Sequence, residues 1–173
     1  MQKFNESNVF QGCFASDDIQ PIKPNTVTVY NTENGNNNYG HWTALFTSPQ
    51  IHSDSKTCFY FDPLGCLPQN SQIVERVLNY SQKFYYNNVQ FQSIFSQLCA
   101  LHIVFVSALY CQGVSVNDIL NKYYNPSTNQ EFINDKIVFY ALLPDLKKLE
   151  GGENISEFTL NLPFFSSVRH DES

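Results

Sequence analysis

Apolar and polar positions alternate along the chain in a few short runs. Thr26-Val-Thr-Val-Tyr-Asn31 places Val27 and Val29 on one face, the period-two signature of a half-buried strand. Residues 42–47 and 57–61 read as two more strands joined by a polar turn through 49–55. The rest of the first forty residues is polar and turn-rich, and 33–40, with Asn34-Gly35 and an Asn run, reads as a surface loop. Pro63 and Gly65 end the second of the paired strands.

Helical spacing follows. Residues 71–84 put Ile73, Val74, Val77 and Leu78 on one face, with Ser71 as the expected N-cap. Residues 89–92 read as a further strand. Residues 96–111 form the most apolar helix of the chain, with Gly113 as its stop signal. Two more helices are predicted over 115–123 and 128–143, the second ended by Pro144. Strands in the middle followed by helices make an α+β plan. The 173 residues fit one domain, 1–173, with a loosely packed tail over 146–173.

Composition sharpens this picture. Aromatics make up 15% of the chain, with 15 Phe and 10 Tyr, which favours a sheet carrying much of the core. The formal net charge of −6 argues against tight binding to nucleic acid, which rests on Lys and Arg neutralising phosphates. No signal peptide is expected, because residues 1–18 lack a continuous apolar core. No membrane association is expected either, since the longest apolar stretch, 98–111, falls short of the roughly 20 residues a bilayer requires. Five cysteines without a CxxC pair or zinc-like His spacing imply reduced thiols and no metal site.

Candidate chemistry centres on Cys99. A thiol near the start of an apolar helix feels the positive end of the helix dipole, which favours the nucleophilic thiolate. His41, in Gly40-His41-Trp42, stands at a strand entrance where it can reach a cleft that Trp42 walls against water. Asp62, in Phe-Asp-Pro-Leu-Gly, ends the next strand. A hairpin pairing would bring its carboxylate to the same end of the sheet as His41, to fix the imidazole tautomer. Gln92, seven residues before Cys99, offers a side-chain amide for an oxyanion beside the Cys99 N–H. Gln97 competes for that role but lies on or next to the helix itself. Each residue alone also has an ordinary reading: a core thiol, a structural His, an Asp capping its own turn.

Taken in order, Gly-His-Trp, Phe-Asp-Pro-Leu-Gly and Gln-Ser-x-x-Ser-x-x-Cys resemble the adenovirus protease (adenain), and more closely the adenain-like proteases of virophages and of Polinton or Maverick elements. Phe10-Gln11-Gly12, Ala15-Ser16-Asp17-Asp18-Ile19 and Val29-Tyr30-Asn31-Thr32 extend the similarity upstream, so that it covers about residues 9–111. The resemblance implies a papain-like cysteine protease fold of the adenain/SUMO-protease type. In that fold a central mixed sheet is packed by helices, and a buried helix carries the nucleophile. It also implies His41 as general base, Asp62 as its partner, Gln92 in the oxyanion hole, Cys99 as nucleophile and Trp42 as a substrate-binding residue. No metal or organic cofactor is needed.

Capsid protein precursors cut during virion maturation are the implied substrate, with a peptide activator as a candidate partner. The implied location is the virion and the infected-cell cytoplasm or viral factory. The chain departs from the family at Ala100, where Gly usually follows the Cys, and in its acidity, which gives little support for a DNA activator. An isopeptidase acting on a ubiquitin-like modifier and a non-enzymatic capsid-associated module are the alternatives. Gly151-Gly152 reads as a flexible turn, or else as a self-cleavage site.

Overall fold

A computed structural model describes residues 9–36, 40–48, 56–124 and 131–150. Among these, five strands form one mixed sheet in the order β1 (Phe10–Phe14), β2 (Val27–Asn31), β3 (Trp42–Thr47), β4 (Thr57–Phe61) and β5 (Lys83–Tyr86). The outer pairs, β1/β2 and β4/β5, are parallel, and β3 runs antiparallel to both β2 and β4. Four helices accompany them: α1 (Ser71–Tyr80), α2 (Cys99–Cys111), α3 (Val116–Tyr123) and α4 (Glu131–Glu150). The architecture is α+β.

Period-two alternation decides which helices cover which face of the sheet. Val27, Val29, Ala44, Phe46 and Phe61 turn toward α2, where Phe105, Val106 and Leu109 meet them, with Ile119 of α3 and Val138 of α4 behind. Tyr30, Leu45, Cys58 and Tyr60 turn the other way, onto Ile73 and Val77 of α1. Helix α1 thus needs only one apolar stripe, whereas α2 is buried nearly all round, as its unbroken apolar run demands. Among the described residues no helix is long and apolar enough to cross a membrane.

Several boundaries differ from those read in the sequence. Strand β1 falls within the stretch expected to be turn-rich; Gly12, at φ 140°, interrupts its register on β2 and hides the alternation. Helix α1 stops at Tyr80, not at 84, because Ser81 turns extended and bonds Val77 O through both its N–H and its hydroxyl. The chain then enters β5. The N-cap is Asn70, not Ser71, with Asn70 Oδ1 accepting from Gln72 N and Ile73 N at 2.9 and 3.3 Å. Residues 89–92 are irregular, not a strand.

Helix α2 begins at Cys99 rather than 96, since 93–96 is closed into a turn by Ser96 N donating to Ser93 O. Helix α3 starts at Val116 with Ser115 as its cap. Helix α4 runs through Pro144 to Glu150 instead of ending at the proline. The 49–55 turn, the start of the predicted 128–143 helix and Gly151-Gly152 lie outside the described residues, as does 151–173 of the expected tail.

Candidate active site

The hairpin of β3 and β4 does what the sequence pattern requires. Ala44 pairs with Phe61, so the entrance of β3 and the exit of β4 lie at the same end of the sheet. His41 and Asp62 stand there, and His41 Nε2 lies 2.6 Å from Asp62 Oδ1. This bond uses Nε2 and leaves Nδ1 for another partner.

The placement of His41 is set by its backbone. Thr32 N donates to His41 O at 2.8 Å, and His41 N donates to Thr32 Oγ1 at 3.0 Å, extending the β2/β3 ladder by one rung. Gly40 before it adopts φ 152°. A Cβ there would overlap Asn31 Oδ1 and approach Glu33 Cγ to 2.7 Å, so the close crossing of the two chains requires glycine.

Asp62 is buried, and its main chain is clamped by Asn87. Asn87 Oδ1 accepts from Asp62 N at 2.9 Å, while Asn87 Nδ2 donates to Asp62 O and to Val89 O. The carboxylate also accepts from Leu64 N at 2.8 Å. A buried carboxylate held by two partners, with its main chain clamped as well, keeps one orientation, as an imidazole partner needs. Asn87 was not singled out from the sequence; an Asn in a short polar link after a strand carries no distinguishing pattern.

Cys99 is the first residue of α2 and is partly exposed. Its thiol faces the imidazole. Burial pushes the thiol up, but the hydrogen bond from His41, the backbone N–H groups of Trp42 and Ala100 and the His41 charge outweigh it, leaving the thiol below its usual value. For His41 burial is likewise the largest single effect and favours the neutral ring. The hydrogen bonds and charges of Asp62 and Cys99 prevail over it and hold the imidazole at about 9. Opposite shifts of this kind favour a thiolate–imidazolium pair at neutral pH.

Gln92 is buried between these elements. Its N–H and that of Phe91 both donate to Pro63 O, at 2.9 and 2.8 Å, which ties it to the turn that follows Asp62. Its Nε2 donates to Ser96 O at 2.9 Å; an amide nitrogen has two N–H groups, and this bond uses one. Its Oε1 is buried with no hydrogen-bond partner among the described residues. Gln97 is exposed just before the helix.

Trp42 begins β3, half-buried and packed against the main core. Its backbone N–H facing Cys99 is a contribution the sequence reading did not foresee, because backbone donors leave no mark in residue type. On the Asp62 side the dyad borders a cavity of about 460 Å³, lined by Tyr30, Asn31, Tyr60, Cys66, Leu67 and Ile73 among others. Among the described residues no group of three or more His, Cys, Asp or Glu is placed to hold a metal ion.

No protein-family model matches the chain, and no curated protein matches it in sequence. Among solved structures it is similar to the crystal structure of the ASFV pS273R protease, with TM-score 0.44 and 21% identity, over 65% of this chain and 41% of that one. The selenomethionine form of the same protease gives TM-score 0.41 and 20% identity, over 67% of this chain and 44% of the neighbour. The chain therefore matches less than half the length of these neighbours.

Proposed function

We propose that this chain is a cysteine endopeptidase of the adenain-like type, working through His41, Asp62, Gln92 and Cys99. The carrying observation is the chain of contacts Asp62–His41–Cys99: a buried carboxylate 2.6 Å from an imidazole whose other side meets a thiol at the first residue of a helix. The order of motifs that resembles adenain supports the same reading.

In the proposed reaction the Cys99 thiolate attacks the scissile carbonyl carbon. The oxyanion that forms is met by the Cys99 N–H, which no carbonyl within the helix can satisfy, and by the second N–H of Gln92 Nε2. The His41 imidazolium gives its proton to the leaving amine and breaks the C–N bond. Neutral His41 then takes a proton from water as that water attacks the thioester, and Cys99 is regenerated. Asp62 holds Nε2 throughout, so that Nδ1 does the proton transfer. No step calls for a metal or an organic cofactor.

The substrate proposed is a viral capsid protein precursor cut during virion maturation, in the virion or the infected-cell cytoplasm or viral factory, with Trp42 bordering the bound peptide. A peptide activator fits the family pattern; a DNA activator fits poorly with a net charge of −6. The test is to incubate the protein with its co-encoded capsid protein, beside Cys99→Ala, and to read fragments by intact mass. Discrete cleavage by the wild type alone is expected. Equal cleavage by both would remove Cys99 as nucleophile. Hydrolysis of a ubiquitin-like conjugate in place of capsid protein would redirect the proposal to an isopeptidase.

A further inference from the structure

A second His–Asp pair lies one helical turn along α2 from Cys99, and the reaction just described makes no use of it. His102 is fully buried. Its Nε2 is 2.8 Å from Asp135 Oδ1 on α4, and its Nδ1 is 2.9 Å from the Tyr124 hydroxyl at the end of α3. With no exposed surface, His102 has no route to a substrate, so the pair is not a second catalytic centre. What it does touch is the loop that carries Gln92. Ser93 N donates to the Asp135 carboxylate in a long forked bond, 3.4 and 3.3 Å to its two oxygens. Asn134, the neighbouring residue, donates from Nδ2 to Phe91 O at 3.2 Å. The Phe91 ring packs on Tyr124 with centroids 4.7 Å apart, and Tyr124 stacks on His102.

The residues on both sides of Gln92 are therefore held from α4, while Phe91 and Gln92 are held by Pro63 O from the opposite direction. A carboxylate that bridges His102 of α2 and Ser93 of the loop fixes the loop relative to the helix that begins with Cys99. Those are the two donors that must converge on one oxygen atom.

We infer that Asp135 and Asn134 are positioning residues for the oxyanion hole: with His102 and Tyr124 they set Gln92 at the distance from the Cys99 N–H that acyl transfer requires. This rests on the acyl-transfer reading above.

Two reagents separate the hole from the nucleophile. Chloroacetamide is attacked at carbon with loss of chloride; an S–C bond forms and no oxyanion arises. p-Nitrophenyl acetate is attacked at its carbonyl; a tetrahedral oxyanion forms, the C–O bond breaks, p-nitrophenolate leaves and Cys99 is acetylated. Asp135→Asn is expected to lower acetylation of Cys99 by about 10–10²-fold, less than the roughly 10²–10³ that complete loss of one oxyanion donor costs. Alkylation by chloroacetamide should stay within about twofold, because His41 and Asp62 are untouched.

Alkylation is read by peptide mass mapping and acetylation by p-nitrophenolate release beyond that of Cys99→Ala, which counts acylation even where the thioester is hydrolysed; thermal unfolding checks folding. Wild-type acetylation retained by Asp135→Asn, or equal loss of both reactions in a folded variant, would overturn the inference alone. A wild-type Cys99 that alkylates but never acetylates would overturn the acyl-transfer reading instead. If Asp135→Asn does not fold, Asn134→Ala carries the same test. It removes the donor to Phe91 O and leaves the His102–Asp135 contact in place, and selective loss of acetylation is again expected, with unchanged acetylation overturning the inference.

Discussion

Replacing Asp62 by Asn keeps the size of the side chain and removes the charge that holds His41. With the imidazole at about 9, about 97% of it is protonated at pH 7.5; at the ordinary 6.5 the fraction is about 9%. Once the carboxylate is gone, burial, which favours the neutral ring, is no longer outweighed from that side. The protonated fraction should fall toward that lower figure, and the thiolate it stabilises should fall with it. Asn can also donate from Nδ2 to His41 Nε2 and force the ring proton onto the nitrogen that must accept one from the thiol. Together the two effects predict a loss of about 10²–10⁴ in acyl transfer.

The assay needs no substrate. The rate of Cys99 alkylation by iodoacetamide is followed against pH by peptide mapping, which separates it from Cys13 and Cys66, exposed thiols that burial pushes up. In the wild type the thiolate should appear below its usual range, and in Asp62→Asn its onset should move up. The acid step sets the other limb: wild-type proteolysis should fall as pH rises through about 9, where His41 loses its proton. Stability has the same sign. A group raised on folding contributes fully below 6.5, and that contribution is lost as pH rises through about 9. An alkylation profile in folded Asp62→Asn that superimposes on the wild type would refute the assignment of Asp62.

Three further substitutions test separate parts of the site. Gln92→Ala should cost about 10²–10³ in kcat while sparing iodoacetamide alkylation of Cys99, and unchanged kcat would remove Gln92 from the oxyanion hole. Gly40→Ala should displace His41 through the clash with Asn31 and lower the alkylation rate at pH 7, with a native-like circular dichroism spectrum. Gly65→Ala, at φ 73° with a Cβ only 2.8 Å from Val89 C, should destabilise by about 1–3 kcal/mol in denaturant titration. It should also slow turnover; a variant as stable and active as wild type would show that the close approach is dispensable.

The three central strands were legible because 27–31 alternates, and 42–47 and 57–61 are short runs rich in apolar and aromatic residues bounded by turn residues. The sheet edges were not. Strand β1 carries Gly12 at a register shift, and β5, with Tyr85 and Tyr86 half-exposed, has no clean polar face to set its period. The helix expected over 71–84 takes in its first two residues, Lys83 and Phe84, whereas the real end of that helix depends on Ser81 bonding back to Val77 O. The start of α2 was placed three residues early because Ser96 and Leu98 suit a helix. What stops them is the Ser93–Ser96 turn and the Gln92 amide, contacts between residues whose types do not announce them. For the site, His41, Asp62 and Cys99 could be found as chemistry-bearing types in order. Asn87, Asp135 and the Trp42 N–H could not: the first two matter through the backbone atoms they reach, and the third is itself a backbone donor, facing the Cys99 thiol.

The geometry makes orientation of the base and position of the oxyanion donor parts of one joint. Asp62 enters the turn, Pro63 O leaves it to receive the N–H groups of Phe91 and Gln92, and Gly65 lets the backbone pass against 89–90. A shift of that turn would move the carboxylate under His41 and the Gln92 backbone together. Helices α2 and α4 secure the far side of the same loop through His102, Asp135 and Asn134. The resemblance read in the sequence runs to about residue 111, so all four proposed catalytic side chains lie within it and the α4 anchor of one of them lies outside it. Because the Cys99–His41–Asp62 contacts are made without α4, loss of that anchor should fall on the acyl-transfer step and leave the reactivity of the thiol largely intact.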